Sequence, residues 1–137
     1  MSFAQIFLLY LISMALAAML DFFWTGAVSR RLCAPPDETP VDIRTTSAFI
    51  LVFHTVYAAG LMIFVIAPAY DRGPDSMGYA AGTGIFFGLL VYGACALRGL
   101  VFGREWSWPA ALSDIAGGGL IGGLSGAVIF YLSQIVT

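Results

Sequence analysis

YAAGTGIFFGLLVYGACALRGLVFGREWSWPAALSDIAGGGLIGGLSGAVIFYLSQI, residues 79–135, contains two apolar, glycine-rich runs joined by a short polar turn, Gly103 to Pro109. Between Gly73 and Leu97 the one formal charge is Asp75, and between Trp106 and Thr137 it is Asp114. Each run exceeds the roughly 20 apolar residues that carry a helix across the hydrocarbon core of a bilayer. The stretch therefore reads as a transmembrane hairpin, and the rest of the chain has to fit beside it.

Working outward, the hairpin helices span about Gly78 to Phe102 and Trp108 to Ile135, with Pro109 in the first turn, where a missing N–H costs little. Upstream, Thr45 to Ala69 forms a second apolar run, expected to break at Ala67-Pro68-Ala69. Asp71-Arg72-Gly73-Pro74-Asp75 reads as a tight polar turn. The first run extends from Phe3 to Val28 and ends at Arg30-Arg31. From Cys33 to Asp42, prolines and carboxylates crowd a segment that cannot continue a helix. A secretory signal peptide fails on its flanks: no basic residue precedes Phe3, and the apolar run continues past Asp21. The first run is expected to be a retained helix.

Composition agrees with this reading. The chain has 137 residues, enough for one domain. It is 60% hydrophobic and 10% charged, against about a quarter charged in soluble domains. With a mean hydropathy of +0.90, the excess apolar surface must face lipid. There is no lysine and the net charge is −2, which excludes the basic patch that nucleic acid requires. Cys33 and Cys95 are too few and too differently placed for a disulfide framework or a metal site. The expected class is all-α: a polytopic membrane protein with four transmembrane helices. Arg30, Arg31, Arg44, Arg98 and Arg104 fall on one side and Arg72 on the other, so the positive-inside rule places both termini outside the cytoplasm.

Small residues recur where helices could touch. Gly118, Gly122 and Gly126 repeat at four-residue intervals, as do Gly119 and Gly123, and Gly84 and Gly88 answer them on the third helix. Such stripes let backbones approach closely in lipid. Packing of the third helix on the fourth is the first expectation; a homo-oligomer or a larger membrane complex is the second.

Ionisable groups inside a bilayer carry the most information, since each costs roughly 2.5–3.5 kcal/mol on insertion scales. Asp21, His54, Arg98 and Asp114 qualify, one from each helix. At 1.5 Å per residue, Asp21 and His54 lie about 10–12 Å from the helix ends, Asp114 about 9 Å and Arg98 about 6 Å. A shared polar cluster in one half of the membrane is expected. Arg98 would pair with Asp114 or Asp21 while His54 completes a lock on helix order, or the cluster would line a cavity that relays protons or orients a ligand. Phe22, Phe23, Trp24 and Tyr57 lie near it and read first as packing. No HExxH, paired histidines, CxxC or nucleophile elbow is present, so no catalytic or metal set is assigned. No cofactor is named; a haem on His54 would need a second axial ligand at matching depth.

Several of these segments together resemble a known family. Leu20-Asp21-Phe22-Phe23-Trp24-Thr25-Gly26, Tyr57-Ala58-Ala59-Gly60-Leu61 with Ala67-Pro68-Ala69, Gly88-Leu89-Leu90-Val91-Tyr92-Gly93, and Trp108-Pro109 leading to Ser113-Asp114 are similar to domain-of-unknown-function family 2177. The resemblance covers nearly the whole chain and implies a small four-helix protein of the bacterial inner membrane, without an established activity. Asp21, Trp24 and Asp114 match its pattern. Ala96 and Gly99, flanking Arg98, stand where the family pattern has an aspartate and an asparagine. Three functions stay open: an accessory or scaffold protein that binds lipid or a small amphiphile, a small oligomeric transporter with a titrating His54, and a lipid-modifying enzyme using Asp21 and Asp114.

Overall fold

The structure, a computed structural model, describes residues 1–29, 43–102 and 107–137. Arg30, Arg31, the Cys33 to Asp42 loop, Arg104 and Trp106 lie outside the described residues, as does the side chain of Arg44. Helix α1 spans Phe3–Trp24 and runs on through a π-helical turn, Thr25–Ser29; α2 spans Ile43–Leu61, α3 Met77–Phe102 and α4 Trp108–Val136. Among the described residues, four helical spans are long and apolar enough to cross a membrane, Phe3–Ala27, Ser47–Arg72, Met77–Val101 and Trp108–Val136. No strand occurs among the described residues.

Local chemistry sets the ends. Ser2 caps α1 in a reciprocal capping box with Gln5, which satisfies two of the donors a helix start leaves open. Ser107 caps α4, its hydroxyl accepting from the Ala110 N–H, and Pro109 follows in the first turn. The second span differs from expectation, because it passes Ala67-Pro68-Ala69 without breaking and continues to Arg72. A π-helical segment, Met62–Ile66, precedes the proline, and Ala67 N–H reaches back to the Met62 carbonyl. Pro68 thereby falls in the first turn of a new α-helical segment, Ala67–Arg72, where its missing donor is not needed. The chain then turns at Gly73, whose φ of 103° suits glycine alone.

Helix α4 forms the centre of the bundle. Over half of its apolar window is buried, 56%, against 17% for α1 and α3, so the other helices are arranged around it and turn their outer faces to lipid. Phe22, for example, is 83% exposed. The α3–α4 contact is backbone on backbone: a Cβ on Gly84 would strike the Gly122 carbonyl, and one on Gly88 the Gly118 carbonyl. One on Gly126 would lie 2.5 Å from the Ala80 carbonyl. Gly119 and Gly123 seat Leu89 and Ile85, so both glycine stripes are used within the chain. Helix α1 runs antiparallel to α4 and is tied to it near both ends. Gln5 Nε2 donates to the Val136 carbonyl at 2.7 Å, and Trp24 Nε1 to the Ser113 carbonyl at 3.1 Å.

The interior has two layers. Toward the start of α1, Leu9, Leu61, Val65, Ile66, Ile129 and Phe130 form a dry apolar layer. Toward the end of α1, Ala17, Tyr57, Tyr92 and Ile121 form a second, with Trp24, Phe53 and Phe87 packed on it. Polar side chains in these helices mostly bond to their own backbones, as lipid requires: Thr55 to the Leu51 carbonyl, Thr83 to that of Tyr79 and Ser133 to that of Phe130.

Candidate functional site

Among the described residues the exceptions are the buried hydroxyls of Ser13 and Ser125, and a group at the second layer that comprises His54 Nε2 and the Tyr57 and Tyr92 hydroxyls. Helix α1 presents Asp21 one turn beyond Ala17, and α2 presents His54 one turn before Ala58. The two side chains meet with His54 Nε2 3.3 Å from Asp21 Oδ2. His54 is 3% exposed. Its Nδ1 is 2.8 Å from the Ile50 carbonyl; a carbonyl only accepts, so Nδ1 is the protonated nitrogen. The proton on Nε2 is therefore the variable one. A proton on Nε2 would face the Asp21 carboxylate at 3.3 Å as a charge-assisted pair.

Helices α2 and α3 surround this pair with aromatic rings. Phe53 stands edge-on to His54 at 5.2 Å between centroids and to Tyr92 at 5.5 Å, and Tyr57 stands edge-on to Tyr92 at 5.9 Å. These are favourable geometries worth about 0.5–1.5 kcal/mol each beyond burial. The hydroxyls of Tyr57 and Tyr92 are buried; that of Tyr92 interacts with the Asp21 carboxylate, and that of Tyr57 has no hydrogen-bond partner among the described residues. Both lie within electrostatic reach of Asp21, and that of Tyr92 also reaches Asp114 on α4. Glycines make the room: a Cβ on Gly118 would collide with Tyr92, and one on Gly117 with the Trp24 indole.

Each residue singled out from the sequence now has a place. Asp21 and His54 are paired, Trp24 is half-buried against α4, and Asp114 is half-buried in the second turn of α4. Arg98 is the correction: it is exposed on α3, and no ion pair joins it to Asp21 or Asp114 among the described residues. Its depth near the end of α3 lets the long side chain reach polar surroundings instead. The position inside the cluster that Arg98 was expected to take falls to Tyr92, ten residues before Phe102 and about 15 Å along the helix. The usable signal was a tyrosine in an apolar run at the depth of Asp21 and His54. No group of three or more His, Cys, Asp or Glu side chains that could hold a metal occurs among the described residues.

The site is not sealed on every side. A groove of about 250 Å³ between α1 and α2 is lined by His54 together with Met14, Ala15, Ala18, Ser47, Ile50 and Leu51. Toward the start of α1, in contrast, the apolar layer of Leu9, Leu61 and Phe130 closes the bundle.

Trp24→Phe isolates one tie of this site. It keeps most of the ring against Gly117 but loses the donor to the Ser113 carbonyl. A loss of about 1 kcal/mol is expected, read as a lower unfolding midpoint at unchanged helicity.

Four apolar spans holding a buried histidine against a half-buried carboxylate define a polytopic integral membrane protein with an intramembrane polar site. The chain belongs to the family described as predicted membrane protein (DUF2177), whose model matches residues 6–132. No curated protein and no solved structure matches it.

Proposed function

We propose that this chain is a non-enzymatic accessory protein of the bacterial inner membrane, with both termini outside the cytoplasm, that binds a lipid or small amphiphile at the Asp21–His54 site. The observation that carries this reading is the groove between α1 and α2, whose lining includes His54, the partner of Asp21. Apolar walls suit a chain, and the His54 imidazole in the lining suits a polar head. A path across the membrane has less support, because the apolar layer closes the bundle beyond Tyr57. A lipid-modifying enzyme would use the same groove, and it is distinguished by whether the bound species leaves chemically changed.

Native mass spectrometry of protein extracted gently from its own membrane tests this. A mass increment on the wild type that is lost in both Asp21→Asn and His54→Ala, with the bundle still folded, is the expected result. No increment, together with lower thermal stability of both variants, would make the pair a structural lock.

A further inference from the structure

We draw no further inference here: the strongest candidate, the apolar cleft of about 720 Å³ beside α3 lined by Phe64, Phe86, Phe87, Leu90 and Cys95, carries none, because nothing in the structure shows what covers it.

Discussion

Gly122→Val is expected to destabilise the bundle by at least the roughly 3 kcal/mol at the upper end of overpacking effects. A side chain at Gly122 meets no flexible group that could move aside. Its first atom would strike the Gly84 carbonyl and stand 3.0 Å from the Gly88 Cα, both backbone. Relief requires α3 and α4 to separate along their whole contact, which also opens the seats of Tyr92 on Gly118 and of Ile85 on Gly123. Lipid offers no hydrophobic effect to press the helices together again. The reporter is the unfolding midpoint in graded detergent denaturation. Gly82→Ala is the control: a Cβ at Gly82 meets nothing within 4 Å, and replacing a mid-helix glycine should leave the bundle unchanged or raise its stability by up to about 1 kcal/mol. Equal stability of Gly122→Val and wild type would mean that α3 and α4 do not touch as described.

His54→Leu should cost about 1–3 kcal/mol, the range for leaving one polar partner unsatisfied, and less than a fully buried ion pair because the Asp21 side chain is 27% exposed. The cost arises because Asp21, left in place, must either carry an uncompensated charge or take up a proton of its own. If so, Asp21→Leu combined with His54→Leu should recover most of the loss, because two apolar side chains at these positions carry no such penalty. The double-mutant cycle is the measurement, and a coupling of the size expected for contacting residues would show as clear non-additivity. Additive single effects would mean that the two side chains do not interact.

The four spans were legible because lipid imposes a constraint that sequence states openly, namely long runs without charge. Glycine spacing on α3 and α4 was equally readable, since close approach in a membrane leaves few alternatives to small residues. Pro68 was misread because the rule that proline breaks a helix assumes an unbroken α ladder, whereas the π segment at Met62–Ile66 reset the register before it. Depth counting brought Asp21 and His54 to the same level but could not assign azimuth. Arg98 shared their half of the membrane and yet points away from them. Tyr92 had no role of its own within the Gly88–Gly93 segment, because its hydroxyl matters only once Gly118 and Asp21 are placed around it. The groove between α1 and α2 had no sequence signal, since Ala15 and Ala18 read as ordinary helix residues until α2 is laid beside them.

His54 is the one histidine in the chain, so uniform ¹⁵N-histidine labelling reports on it alone. Solid-state NMR of the protein in bilayers measures which imidazole nitrogens carry protons and how close the ring lies to a ¹³C-labelled Asp21 carboxyl group. The geometry predicts a protonated, hydrogen-bonded Nδ1, an Nε2 in close dipolar contact with the Asp21 carboxyl carbon, and a changed Nε2 signal in Asp21→Asn. A ring with bare Nδ1, in fast exchange with water and indifferent to Asp21→Asn, would contradict the intramembrane pair and the readings built on it.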